Sequence, residues 1–288
     1  MTSRVLVGLI GANIQQSLSP ALFEDACAVA GLRGHYHLMD LDLLKGRTAA
    51  ELLAAARSAG FAGTNVTFPC KEIVLPLLDE VSAEARQIGA VNTVTIGRDG
   101  RTVGHNTDSV GFRRSLEETF GAGAVAGASV LLVGAGGAGK AVAAALAALG
   151  VGELLVSDRS ASQAAGLAQR IGARCRVVAD PVAAIPAVEG IVNATPVGMS
   201  GFPGLPIPTD GITARQWVAD VIYSPLETAL LEAAKAKGAR VVGGAGMCVH
   251  QAAEAFRLFT GRTADVGRMR EIFSKAAAQR TIDLAAAS

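Results

Sequence analysis

Val130-Leu-Leu-Val-Gly134-Ala-Gly136-Gly-Ala-Gly139-Lys-Ala-Val-Ala-Ala-Ala-Leu-Ala-Ala-Leu149 is an apolar run that bends at G-x-G-x-x-G and enters an alanine-rich helix. Strand, glycine turn and helix in that order form a dinucleotide site. The first glycine permits the tight turn, the second lets backbone approach a pyrophosphate, and the third lets helix pack on strand. The helix N-terminus offers unpaired N–H groups to the anion. A second apolar run, Glu153-Leu-Leu-Val-Ser157, ends at Asp158. That is about the 20-residue distance expected of the acid that holds a ribose 2′-hydroxyl. The candidate cofactor contacts here are Gly134, Ala135, Gly136, Gly137, Ala138, Gly139 and Asp158. The glycine pattern alone is a weak signal. With both strands, the helix and the acid in order, it reads as a nucleotide site rather than a packing turn. Roughly 130 residues precede it, so a separate unit is expected to hold the substrate.

Bulk properties narrow the class. A chain of 288 residues suits one large or two ordinary domains. Half of it is hydrophobic, yet aromatics are 4%. Small apolar residues in such number suit close helix–sheet packing. Lys and Arg total 26 against 25 acids, giving a net charge of +1. That balance carries no footprint for nucleic acid. Cys27, Cys70, Cys175 and Cys248 are scattered without a C-x-x-C pair, and the four histidines form no H-E-x-x-H. Reduced thiols and no metal are the expectation. The stretch Ala124–Val151 carries one charge, Lys140, but its glycine-rich interior fits a buried strand and helix better than a membrane span. Val5-Leu-Val-Gly-Leu-Ile10 is short for a signal sequence and lacks a cleavage site, so a soluble cytoplasmic protein is expected.

The first third alternates in type. Strands are predicted over Arg4–Gly11, His35–Met39 and Ala62–Thr67, with helices over Ala21–Ala30 and Ala49–Ala59. Such alternation argues for parallel strands joined by crossover helices. Ala90–Ile96 and Arg101–His105 flank Gly97-Arg-Asp-Gly100 as a hairpin. Asn106-Thr107-Asp108 reads as a cap entering a helix over Ser109–Thr119. After the nucleotide turn come a helix over Ala161–Ile171 and strands over Arg174–Val178, Gly190–Ala194 and Trp217–Val221. A helix over Leu226–Ala236, a strand over Ala239–Val242 and helices over Met247–Thr260 and Val266–Ala277 follow. The fold class expected is α/β. An N-terminal α/β substrate domain, residues 1–105 with 241–288, receives a Rossmann-type doubly wound dinucleotide-binding domain, residues 106–240. A ligand cleft is expected between them.

Polar residues cluster at predicted strand ends. Asn65-Val66-Thr67-Phe68-Pro69-Cys70-Lys71 is expected to end a strand and open a helix, with Asn65 and Thr67 on one side and Lys71 a turn later. A lysine there can relay a proton, although a lone lysine is more often a solvated surface group. Asp108 is a plain helix cap in the bland reading. Ser17-Leu-Ser19-Pro20 supplies two hydroxyls past the first strand, or is an ordinary turn. Asn193-Ala-Thr195-Pro-Val-Gly198-Met199 ends a strand of the nucleotide unit, where cofactors lie, or is a Gly/Pro loop. No G-x-S-x-G occurs, so a serine acyl-transfer enzyme is not supported.

Taken in order, eight stretches resemble one family. They are Ser17-Leu-Ser19-Pro, Asn65-Val-Thr67-x-Pro-x-Lys71, Gly89-Ala-Val-Asn92-Thr93, Gly104-His-Asn106-Thr107-Asp108-x-x-Gly111, the glycine turn, Asn193-Ala-Thr195-Pro-x-Gly-Met199, Asp220-Val-Ile-Tyr223-x-Pro and Gly244-x-x-Met247-x-x-x-Gln251. The chain resembles the shikimate dehydrogenase family, including its quinate/shikimate branch, over nearly its whole length. The resemblance implies an NAD(P)-dependent oxidoreductase that interconverts 3-dehydroshikimate and shikimate, or 3-dehydroquinate and quinate. It makes Lys71 and Asp108 the catalytic pair. It assigns the substrate to Ser17, Ser19, Asn65, Thr67, Asn92, Tyr223 and Gln251. To the cofactor it adds Arg159, Thr195, Pro196, Val197, Met199, Val221, Gly244 and Met247. His250-Gln251 and Ala255-Phe-Arg-Leu-Phe-Thr-Gly261 look like the quinate/shikimate branch.

Two departures from the family pattern stand out. Phe23-Glu24 occupy positions where relatives often carry His-Asn. Asp158-Arg159-Ser160 replaces the Asn-Arg-Thr of relatives that use NADP. A carboxylate at position 158 can accept both ribose hydroxyls of NAD but repels a 2′-phosphate by a few kcal/mol at an effective dielectric of about 20. NAD is therefore expected over NADP, with Arg159 available to adenine or phosphate. The expected partner is the small-molecule substrate, with no nucleic acid and no membrane, while a homodimer stays open. Competing readings are a related dehydrogenase acting on an aminated ring analogue and a non-catalytic dinucleotide-binding sensor.

Overall fold

A computed structural model describes residues 4–287, with side chains placed to residue 280. The chain divides into two compact units, Met1–Thr107 with Val249–Ser288, and Asp108–Cys248.

The first unit is built on β1 (Arg4–Gly11), α1 (Ser19–Val29), β2 (Arg33–Asp40), α2 (Ala49–Ser58) and β3 (Gly63–Val66). These continue into β4 (Glu80–Val81), α3 (Ala83–Ile88), β5 (Thr93–Ile96) and β6 (Thr102–His105). The strands form a six-stranded sheet in the order β2-β1-β3-β5-β6-β4. β1 pairs parallel with β2 and β3, but β5 runs antiparallel to both β3 and β6. The sheet is thus mixed rather than purely parallel, because a hairpin, not a crossover helix, joins β5 to β6. That reversal is what gathers the site. Asn65, near the end of β3, pairs with Thr93 at the start of β5, and Thr93 pairs with His105 at the end of β6.

Each face of this sheet is covered. Ile10, Met39, Val66 and Val94 pack with Leu52, Leu53 and Ala56 of α2. Thr48 and Glu51 close a reciprocal capping box that starts that helix. On the other face, Phe23 of α1 stacks with Phe256 and Phe259, ring centroids 5.8 and 6.2 Å away.

The second unit begins with α4 (Asp108–Phe120), then β7 (Ser129–Val133), α5 (Gly137–Ala148), β8 (Glu153–Ser157), α6 (Ala161–Ile171) and β9 (Cys175–Val177). It continues with α7 (Pro181–Ala184), β10 (Gly190–Asn193), β11 (Trp217–Asp220), α8 (Ala229–Ala236) and β12 (Arg240–Val242). Its sheet order is β12-β11-β10-β7-β8-β9, with every pair parallel. Counted from β7, that is the doubly wound order whose strands reverse direction of progress between β7 and β10. Alternate residues feed two cores. Val130, Leu132, Leu154 and Val156 pack with Val142 and Leu146 of α5, while Leu131, Val133, Leu155 and Val218 pack with Leu230 and Leu231 of α8. Burial on both faces is why these strands read as unbroken apolar runs.

The last helices are α9 (Gly244–Thr260), whose first residues count with the second unit, and α10 (Val266–Ala287). Some expectations shift. After β3 the chain forms turns and a short 3-10 segment, Leu75–Leu77, rather than the helix expected at Lys71. Pro76 has no N–H to continue a helical ladder. Asp108 is the first residue inside α4 rather than its cap. α8 starts at Ala229 behind the Thr228 cap, leaving Leu226 exposed.

Candidate active site

In the first unit, six side chains at one end of the sheet form a chain of hydrogen bonds. The Tyr36 hydroxyl donates to Asn65 Oδ1 at 2.9 Å. Asn65 Nδ2 donates to the Asn92 carbonyl at 3.1 Å and to Thr93 Oγ1 at 2.9 Å. Thr93 Oγ1 donates to Asn92 Oδ1 at 3.0 Å, and the same oxygen accepts the Thr107 N–H at 2.7 Å. Asn92 Nδ2 donates to Thr107 Oγ1 at 2.9 Å, and Thr107 Oγ1 reaches Gln251 Oε1 at 3.4 Å. Thr93, Asn92 and Thr107 are buried. A buried network satisfied in this way holds its members in fixed orientations. Ser19, Tyr36, Asn65 and Gln251 also line one small cavity of about 10 Å³, room for about one water.

The loop carrying the serines is tied to the end of β2. The Asp40 carboxylate, 3% exposed, accepts the Ile14 N–H at 3.1 Å, Gln15 Nε2 at 3.0 Å and the Asp42 N–H at 3.0 Å. Burial pushes the Asp40 carboxyl up. Hydrogen bonds from Gln15 and from the Asp42, Ile14 and Asn13 N–H groups outweigh it and hold the carboxyl below its ordinary value. Asp42 in turn accepts the Asn13 N–H at 2.8 Å. Ser17 Oγ accepts the Ser19 N–H at 3.3 Å, and both serines are half-buried. Thr67 donates its N–H to the Ile10 carbonyl at 2.9 Å, so it lies beside the end of β1. The Lys71 carbonyl accepts the Val91 N–H at 2.8 Å, and its side chain is half-buried. Asp108 is buried at 6% exposure and follows Thr107 directly.

In the second unit the glycine turn has the steric logic of its motif. Gly134 has φ +106°, and a Cβ there would lie 2.8 Å from the Ala194 carbonyl carbon. A Cβ at Gly139 would sit 2.0 Å from the Gly134 oxygen, so the helix closes on the strand only with glycine there. At Gly136, by contrast, a Cβ would meet only Gln163 Oε1, at 4.0 Å. The space above Gly136 is open, and no side chain caps the first turn of α5. An open approach at the middle glycine, beside an uncapped helix N-terminus, fits the pyrophosphate of a dinucleotide.

Asp158 does more than the sequence suggests. Its Oδ2 accepts the Ala135 N–H at 2.7 Å and its Oδ1 accepts the Ser160 N–H at 2.8 Å. The carboxylate therefore clamps the glycine turn to the end of β8, and Ala135, fully buried, gives that clamp its N–H. Arg159 is exposed. Beyond β10, Thr195 Oγ1 donates to Asn193 Oδ1 at 2.7 Å and accepts the Val197 N–H at 3.1 Å, and Met199 N–H closes on the Pro196 carbonyl at 3.0 Å. Asn193 Nδ2 donates to Asp220 Oδ1 at 3.1 Å, which also accepts the Ile222 N–H at 3.0 Å, and Thr228 Oγ1 donates to Asp220 Oδ2 at 2.8 Å. Asp220, with Asn193 Nδ2 also donating to the Val197 carbonyl, so ties the Thr195–Met199 loop to the segment after β11 that leads to the half-buried Tyr223. Gly244 packs on backbone, since a Cβ there would lie 2.3 Å from the Val221 oxygen. Met247 is 8% exposed and belongs to the core around α5. Sequence reasoning missed Tyr36, Asp40, Thr93 and Thr107 as site residues, and it missed the second role of Asp158.

Burial raises the Asp220 carboxyl above its ordinary value, against hydrogen bonds from Ile222, Thr228 and Asn193 that lower it. The fold therefore favours the protonated form more than the unfolded chain does. Its contribution to stability is fully present below the ordinary carboxylate range and is lost as pH rises through the raised value. Asp220→Asn keeps the shape and removes the titration. Thermal unfolding of both proteins from acid to neutral pH is expected to show the variant gaining on the parent as pH rises. A constant difference would rule this out.

Known proteins match in the same regions. Residues 9–94 match the family described as shikimate dehydrogenase substrate binding domain, 116–197 the one described as shikimate/quinate 5-dehydrogenase, and 244–272 the one described as shikimate 5'-dehydrogenase C-terminal domain. A quinate/shikimate dehydrogenase (NAD(+)) of Corynebacterium efficiens is 48% identical over 93% of this chain and 97% of its own length. Quinate dehydrogenase from Corynebacterium glutamicum, solved in complex with NAD, superposes with TM-score 0.88 at 44% identity, covering 95% of this chain and all of that one. Shikimate 5-dehydrogenase from Thermus thermophilus, in complex with NADP(H) and shikimate, gives TM-score 0.83 at 37% identity over 94% of this chain and 99% of that one. With its glycine turn, its doubly wound sheet and relatives matched over more than nine-tenths of its length, this chain belongs to the shikimate dehydrogenase family.

Proposed function

We propose that this protein is an NAD-preferring shikimate/quinate dehydrogenase, an oxidoreductase acting on the ring carbinol at C3. The observation that carries the cofactor reading is the carboxylate of Asp158, fixed by two backbone N–H groups at the end of the second nucleotide strand. The turn from Gly134 to Gly139 would hold the pyrophosphate, and Asp158 the adenosine ribose. Thr195 to Met199, Val221, Tyr223 and Gly244 follow the strand ends of the same unit. When bound, the nicotinamide exchanges the hydride.

The chain's own residues do the rest. Ser17, Ser19, Asn65, Thr67, Asn92 and Gln251 offer hydroxyls and amides to a ring rich in hydroxyls and a carboxylate. Selectivity comes from leaving none of these groups unpaired once the ring covers them, at about 1–3 kcal/mol each. In reduction, the Lys71 ammonium gives a proton to the oxygen that becomes the alcohol. In oxidation, the neutral amine takes the hydroxyl proton. Asp108, the other member of the catalytic pair that the resemblance assigns, would supply the carboxylate that orients that nitrogen.

The scattered spacing of the four cysteines, with no disulfide-type pattern, supports a cytoplasmic setting. No partner beyond small molecules is required by this reading, with a homodimer as the simplest assembly if one forms. Steady-state kinetics with shikimate and quinate, each with NAD and NADP, test the proposal. The expected result is turnover of at least one alcohol, with kcat/KM higher for NAD. Equal or better efficiency with NADP would overturn the cofactor assignment. Turnover of neither alcohol would favour the sensor or an aminated-ring substrate.

A further inference from the structure

Phe23 and Glu24, the residues that depart from the family pattern, both bear on Tyr36. The Phe23 ring packs 5.7 Å from the Tyr36 ring, centroid to centroid. Glu24 Oε1 accepts the Tyr36 N–H at 2.9 Å. Tyr36 itself is 5% exposed. It lies on β2 opposite Val7 of β1, and Asn65 lies on β3 opposite Leu9. Adjacent strands are about 4.8 Å apart, so Tyr36 spans the width of β1 to reach Asn65. A phenol has that length and ends in a donor.

The polarity of Asn65 is fixed by its neighbours on the next strand. Both hydrogens of its Nδ2 are committed, one to the Asn92 carbonyl and one to Thr93 Oγ1. The Asn92 carbonyl can only accept. A flipped Asn65 would face oxygen to oxygen there. Thr93 gives its own hydrogen to Asn92 Oδ1, so it too meets Asn65 as an acceptor. Asn65 Oδ1 takes the Tyr36 hydroxyl and keeps one acceptor site.

We propose that Tyr36, held by Phe23 and Glu24, is a positioning residue for substrate specificity: the Asn92 carbonyl and Thr93 fix the polarity of the Asn65 amide, and the Tyr36 hydroxyl holds its oxygen in the place where a ligand hydroxyl can donate to it. A ligand hydroxyl can donate to that oxygen; a keto or carboxylate oxygen cannot. The inference rests on the assignment of Asn65 to the substrate site. It adds that the discrimination depends on a residue two strands away from Asn65.

Tyr36→Phe tests it, because the ring packing stays and only the hydroxyl goes. Kinetics are measured on parent and variant with the preferred alcohol and with a set of analogues each lacking one ring hydroxyl. The expected result is a rise of about tenfold in KM for the alcohol, the size of one hydrogen bond to an oriented group. The change in kcat is expected to be small, and KM for NAD unchanged. The penalty should vanish for one deoxy analogue, the one missing the hydroxyl that donates to Asn65. A role confined to stability would lower the melting temperature and penalise every analogue alike. A uniform penalty, or an unchanged KM, overturns the proposal. An inactive parent protein would instead count against the dehydrogenase reading and is distinguished at the first measurement. Phe23→Leu, which leaves the hydroxyl but loosens its support, is expected to show the same pattern at smaller size.

Discussion

Lys71→Ala is expected to lower kcat by about 10²–10⁴, the range that a positioned proton donor contributes, while KM for the alcohol changes far less. The reasoning follows from where the lysine is held. Its carbonyl is pinned by the Val91 N–H, one residue before Asn92, so its backbone is fixed to the segment that leads into β5 and carries part of the polar network. None of the hydrogen bonds that join Tyr36, Asn65, Thr93, Asn92, Thr107 and Gln251 runs through the Lys71 side chain. Binding of the ring therefore persists, and what is lost is the proton that must move as the carbinol and ketone interconvert. Loss of kcat with little change in KM is the signature of an interaction made in the transition state. Asp108→Asn should show a smaller loss of the same kind, since the amide keeps the shape and gives up the charge. Near-normal turnover of Lys71→Ala would remove the lysine from the chemistry.

The second large effect is expected at Asp158. Two unit charges about 5 Å apart at an effective dielectric of about 20 interact by about 3 kcal/mol, close to 10² in an equilibrium. Asp158→Ala is therefore expected to shift the NAD-to-NADP ratio of kcat/KM by about 10- to 100-fold towards NADP. Absolute efficiency should fall with both cofactors, because the Ala135 and Ser160 N–H groups lose their acceptor and the glycine turn loosens. The ratio, not the activity, is the diagnostic quantity. An unchanged ratio with reduced activity would mean that Asp158 serves only as the clamp of the turn.

The second unit was legible in the sequence because each of its features makes a local demand. Gly134 needs a positive φ, Gly139 has no room for a Cβ, and strands buried on both faces must be apolar throughout. The first unit was legible to a lesser degree. Its strands and hairpin could be read, but the antiparallel pairing of β3 with β5 could not, and that pairing brings Asn65 beside Thr93. Tyr36 looked like any strand aromatic, since its role arises from a register two strands wide. Asp40 ends β2 with no motif of its own, yet it anchors the serine loop across 26 positions of sequence. The turn at Lys71 was misread as a helix because polar and apolar residues there mimic a first turn, while Pro76 prevents its continuation. Phe23 and Glu24 showed only as departures in sequence; their contacts with Tyr36 give them a shared purpose.

The most direct measurement is the appearance of reduced nicotinamide when the purified protein is given NAD with shikimate or with quinate, quantified against the 3-dehydro product formed. The account predicts one reduced cofactor per ketone with at least one of the two alcohols. Binding of NAD with no reduced nicotinamide from either alcohol would contradict it.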